Sequence, residues 1–140
     1  ALDNVRFIGW NAGAGVVDPY ERMIPNDEES ILNRDMFDNM KAQAWWSVRT
    51  RFYKTFQHIK NGIDYKIDEM ISIDSTIPLL HQLLKELAQP TKGESKSLKT
   101  IVNKKPPGTK SPNLADSVIM AFFPIDDDSG VAVSGRIGGG

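Results

Sequence analysis

Apolar side chains recur every three or four residues from Met36 to Ile59: Met36, Phe37, Met40, Ala44, Trp45, Val48, Phe52, Phe56 and Ile59. That spacing predicts one long amphipathic helix with a single buried stripe, and the rest of the chain must pack around it. Asn33 or Asp35 can cap its start, and Asn61-Gly62 ends it after Lys60. Arg49, Lys54 and Lys60 lie mostly off the stripe. Trp45 falls on it, which turns the indole of Trp46 about 100° away. An exposed Trp46 beside arginines could stack on a base; lateral packing is the competing reading.

The remaining segments are short. Residues 5–9 and 70–73 read as β-prone runs, and residues 98–103 as a strand set among lysines. Ser75 or Thr76 caps a helix with Pro78 in its first turn; Leu79, Leu80, Leu83, Leu84 and Leu87 form its core face, and Pro90 stops it. His81 lies off that face. Ser111-Pro112 opens a last helix, in which Leu114, Ala115, Val118, Ile119, Ala121 and Phe122 predict deep burial. The fold class is α/β, with a small sheet and three main helices. The small residues 11–15 suit a tight loop. Gly13 and Gly15 form a G-x-G there, but no third glycine, Lys-Ser/Thr pair or helical pattern follows to make it a nucleotide loop.

Composition excludes more than it selects. The 140 residues contain no cysteine and two histidines, His58 and His81, so thiolate zinc sites, cysteine nucleophiles and histidine-rich metal sites are ruled out. No apolar run approaches the roughly 20 residues that a membrane span needs. The net charge of −1 conceals segregation. Residues 1–40 carry eight acids against three arginines, whereas residues 92–110 carry six lysines against Glu94. The lysine segment is either a solvated loop or an anion-binding surface. Asp116 sits one turn into the last helix, in apolar surroundings. It is either exposed, paired with a base, or a metal ligand, because a lone buried carboxylate is costly. Asp126, Asp127 and Asp128 lack the spacing of a calcium loop and read as a solvated turn.

Three stretches carry a resemblance. Phe7-Ile8-Gly9-Trp10-Asn11-Ala12-Gly13, Lys41-Ala42-Gln43-Ala44-Trp45-Trp46-Ser47-Val48-Arg49 and Lys110-Ser111-Pro112-Asn113-Leu114-Ala115-Asp116-Ser117 occur in that order. Together they resemble the ribonuclease H-like C-terminal nuclease domain of the large terminase subunit of tailed bacteriophages. The third is the most specific, with Ser117 standing where the family usually has alanine.

The resemblance implies a nuclease that cuts concatemeric double-stranded DNA during phage genome packaging, using two Mg²⁺ or Mn²⁺ ions held by three acids. Asp116 is the one catalytic and metal-binding acid that maps onto this sequence. The other two belong upstream of the Asn-Ala-Gly loop, so residues 1–124 are expected to be the C-terminal part of a nuclease domain lacking its first strands, followed by a polar, Gly-rich tail over 125–140. Whether such a chain is an enzyme by itself is left open. Lys99, Lys104, Lys105, Lys110, Arg49 and Arg51 are the expected DNA contacts. By resemblance the partners are the portal protein and the small terminase subunit, and the setting is the cytoplasm of a bacterial host, with no membrane contact. A strand 5–9 without its neighbours would favour self-association. The alternative is a non-catalytic, DNA- or protein-binding prophage remnant.

Overall fold

The computed structural model describes residues 9–123. Their order is α1 (Asn33–Met36), α2 (Met40–Asn61), a 3₁₀ turn (Ile67–Glu69), α3 (Leu80–Ala88), β1 (Thr91–Glu94), β2 (Thr100–Asn103) and α4 (Asn113–Phe122). The result is a mixed α/β arrangement built on a two-stranded antiparallel sheet. α4 packs on both α2 and α3, and β2 packs on α2. The expected strand 5–9 and the acidic turn 126–128 fall outside the described residues.

The long helix forms, but it starts later than its periodicity suggests. Phe37 leaves the helical path to bridge Thr100, and Asp38 N donates to Thr100 O at 3.0 Å, so residues 37–38 extend the sheet beside β2. Burial of Phe37 favours that break over continuous helix. α2 then begins with Asn39 as its cap, whose side chain accepts from Ala42 N at 2.9 Å. The loop over residues 11–15 supplies the other acceptors: Met40 N donates to Ala14 O and Lys41 N to Ala12 O. These bonds satisfy the first turn that would otherwise attract an anion. Gly62, at φ 66°, closes the far end in the left-handed conformation, with its N–H on His58 O.

The core gathers around the first half of α2. Met40, Ala42, Ala44, Trp45 and Val48 are buried with Ile71, Leu83, Val102, Ala115 and Ile119. Beyond Val48 the stripe outruns its partners, leaving Phe56 56% and Ile59 77% exposed. Their expected burial therefore fails for want of an opposing surface rather than of periodicity. On α3, Leu83 is buried, whereas Leu79 and Leu84 are exposed. Its helix starts at Leu80, after Pro78, because residues 74–79 form turns instead.

Residues 70–73 are not a strand. Ile71 N donates to the Thr55 hydroxyl at 2.9 Å, and the Arg51 guanidinium donates to Met70 O at 3.1 Å and also to Asp68 O. Side chains of α2 thus take the backbone groups that a neighbouring strand would have taken. The partner of β2 is β1, within the lysine-rich segment, in the register Lys92↔Val102 and Glu94↔Thr100. α4 is also less enclosed than its composition predicts: Ala115 and Ile119 are buried, but Met120 and Ala121 are exposed. One face packs on α2 and α3, and nothing among the described residues covers the other.

Candidate metal and DNA-binding site

α4 opens at Asn113 with Pro112 as its N-cap residue, and no side chain at that position caps it. Glu86 does so from α3. Its buried carboxylate accepts from Leu114 N at 2.9 Å and Ala115 N at 3.2 Å. A negative group at a helix N-terminus is favoured both by the free N–H groups and by the helix dipole. The bond fixes the turn that presents Asp116, whose own N–H donates to Pro112 O at 2.8 Å.

Asp116 is half-buried and paired. Lys104 Nζ donates to its Oδ2 at 2.7 Å, with the two side chains 31% and 20% exposed respectively. Lys104 leaves the end of β2, and Gln89 Nε2 donates both to its carbonyl at 2.7 Å and to the carbonyl of Lys110 at 2.8 Å. One amide thereby clamps the two ends of the loop joining β2 to α4. Lys105 and Lys110 are exposed on that loop. Asp116, Lys104, Lys105 and Lys110 therefore belong to one locality.

The other expected contacts lie elsewhere. Lys99 precedes β2, about 16 Å of extended chain from Lys104. Arg49 and Arg51 are two residues apart on α2 and point about 160° apart around its axis. Arg51 bonds the carbonyls of Asp68 and Met70 and lies over the Phe122 ring, 5.3 Å from its centroid. Arg49 lies over Trp46, 4.8 Å from its centroid, and Lys92 Nζ is 5.5 Å from the same ring. Trp46 is half-buried and tilted against Phe37, so it packs laterally and is not a free platform.

A divalent-ion site needs several oxygen ligands converging on one point. Among the described residues no three Asp, Glu or His side chains do so. Asp116 offers at most one carboxylate, and a lysine already occupies it. The described residues do not fit a two-ion centre, and Asp3 falls outside them. The carboxyl groups held below their ordinary range are elsewhere. Glu69 is lowered chiefly by the Lys54 ammonium and then by Lys66 N–H, and Asp74 by the N–H and hydroxyl of Thr76. Both are structural acceptors, Asp74 exposed and Glu69 half-buried.

Glu86 and Gln89 escaped sequence reading. Glu86 carried a signal: it follows Leu83 by three residues, placing a carboxylate on the apolar face of α3. Gln89, beside Pro90 at the helix end, carried none.

No protein-family model and no curated protein sequence matches the chain. Solved structures do. The nuclease domain of the large terminase subunit gp2 of bacterial virus Sf6 aligns with a TM-score of 0.67 and 26% identity, over 80% of this chain and 52% of that one. A point mutant of that domain with manganese aligns at 0.65 and 26%, over 79% and 52%. A point mutant of gp2c from bacteriophage Sf6 with calcium aligns at 0.70 and 24%, over 83% and 52%. The chain spans about half the length of these structures. The likeness gives a partial ribonuclease H-like nuclease fold, as the three sequence stretches imply.

Proposed function

We propose that this chain acts in phage DNA packaging as part of a terminase-type nuclease directed at double-stranded DNA. The observation that carries the reading is the placement of Asp116 in the first turn of α4, after the stretch Ser111-Pro112-Asn113-Leu114-Ala115, in a fold shared with a terminase nuclease domain. In this reading Asp116 would be one ligand to a divalent metal, Mg²⁺ or Mn²⁺, in the complete domain, and Lys104 Nζ fixes the direction of its carboxylate. Lys105 and Lys110, on the clamped loop, bind backbone phosphates, and Lys99 and Arg49 extend the contact outside that locality. The missing ligands come from residues beyond those described, in keeping with residues 1–124 being the C-terminal part of a longer nuclease domain. The portal protein, the small terminase subunit and the host cytoplasm follow from the same reading. Among the described residues no helix is long and apolar enough to cross a membrane.

The test is nicking of supercoiled plasmid in Mn²⁺ by three chains: this one, an N-terminally extended one, and the extended one carrying Asp116→Asn. The expected result is little nicking by the first, strong nicking by the second and none by the third. Equal nicking by the second and third would remove Asp116 from the site. One observation favours a second reading, a non-catalytic binding remnant: the Lys104 ion pair already neutralises the lone acid. Duplex binding by the extended chain without nicking would select it.

A further inference from the structure

A groove of about 290 Å³ lies between α2 and the hairpin, with Trp45, Leu87, Pro90 and Val102 as its apolar floor and Arg49 and Lys92 at its rim. Both cations are exposed, and both rest on the indole of Trp46. Neither pairs with a carboxylate among the described residues, although Glu94 lies two residues beyond Lys92 on β1. Cation–aromatic contacts with one indole hold both charges on the lining of an apolar depression. The ligand that suits this arrangement has an anionic part for the rim and a flat apolar part for the floor. The volume is near the lower end of small-ligand sites, about 300 Å³, which limits the occupant to one small unit.

We propose that this groove binds one nucleotide of single-stranded DNA, its phosphate reached by Arg49 and Lys92 and its base against Leu87 and Pro90, partly exposed apolar residues of the lining. An unpaired strand is required because a base in duplex has its faces covered by its neighbours, whereas an unstacked base is free to lie on a side chain. The exposed guanidinium of Arg49, backed by the indole, gives the base a second surface. The site shares no residue with Asp116 and its clamped loop. It extends the DNA-directed reading but does not depend on cleavage.

The experiment titrates the chain with fluorescently labelled oligothymidylate of about ten nucleotides, reading anisotropy and tryptophan emission together. Expected are a saturable emission change and an affinity that falls about tenfold in Arg49→Glu and in Lys92→Glu, each of which removes a phosphate contact. Lys92 is exposed on a strand, so its variant is expected to keep the wild-type circular dichroism even if the Arg49 variant does not. The titration is run in a metal chelator, so its outcome is read apart from cleavage, and the nuclease reading stands or falls on plasmid nicking alone. The proposal is overturned by no emission change at saturation, by affinities within twofold in the Lys92 variant, or by a Lys92-dependent emission change of equal size on adding a duplex of the same length or polyglutamate.

Discussion

Lys104 Nζ stands 2.7 Å from Asp116 Oδ2, and this contact joins the end of the sheet to the first turns of α4. Both groups are partly screened by water, so the pair lies between an exposed ion pair and a buried one. Lys104→Met is expected to cost about 1–2 kcal/mol. Urea unfolding of Lys104→Met, Asp116→Asn and the double variant isolates the coupling, expected near 1 kcal/mol. A coupling near zero would mean that the contact is incidental to stability.

Glu86 is expected to matter more than its place on α3 suggests. Glu86→Ala strips the acceptor from two backbone N–H groups at the start of α4 and should destabilise by about 2 kcal/mol. Glu86→Gln keeps an oxygen there and should cost less than half as much. Equal losses in chemical denaturation would show that charge, rather than hydrogen bonding, holds the turn.

How much of this was legible in the sequence depends on where each contact partner lies. The end of α2 at Gly62 could be read because a helix stop is local. Its start could not, because the decisive partner of Phe37 is Thr100, sixty-three residues on. β1 was hidden for a similar reason: Thr91-Lys92-Gly93-Glu94 has little strand character and pairs because β2 folds back upon it. Residues 70–73 had the character and lacked the partner, since Thr55 and Arg51 took their backbone groups. At the candidate site, Asp116 and its neighbouring lysines lie in one contiguous stretch, so their proximity is local and open to sequence reading. Glu86 and Gln89 reach that stretch from another helix.

The Lys54–Glu69 pair gives a pH signature. The ammonium, 2.7 Å away, holds the Glu69 carboxyl below its usual range. A lowered folded value means that the stabilisation is present above the ordinary glutamate range and is lost as pH falls through the folded value. Lys54→Met should therefore melt at a lower temperature than the wild type at pH 7, with the gap closing as the pH falls through the lowered value of the Glu69 carboxyl. A gap that persists at low pH would locate the effect in packing of the Lys54 stem against Tyr65, whose ring it overlies.

Gly62 occupies φ 66° at the end of α2. Gly62→Ala forces a β-carbon into the left-handed region and should cost about 1 kcal/mol in thermal unfolding. An unchanged midpoint would mean that the last turn frays without consequence for the fold.

Lys110 meets the Gln89 clamp only through its carbonyl, and Lys105 lies between the two anchor points, so reversing their side-chain charges leaves the clamp intact. Lys105→Glu with Lys110→Glu is expected to weaken duplex binding at least tenfold. If both lysines contact phosphates, the salt dependence should also fall by roughly 0.9 log units per lost contact. Unchanged affinity and slope would place the duplex on another surface.

The Gln89 amide reaches the carbonyls of Lys104 and Lys110 together. A loop whose span is set from outside has its anchor points specified by a neighbour and not by its own composition. Residues 105–109 are thus insulated from the rest of the molecule. Apart from Gly108, held at φ 83°, their side chains can be exchanged during descent with little penalty to the flanking strand and helix, whereas a change at position 89 alters the distance between those flanks at once. The loop facing the proposed ligand is free to diversify because the residue that shapes it lies elsewhere.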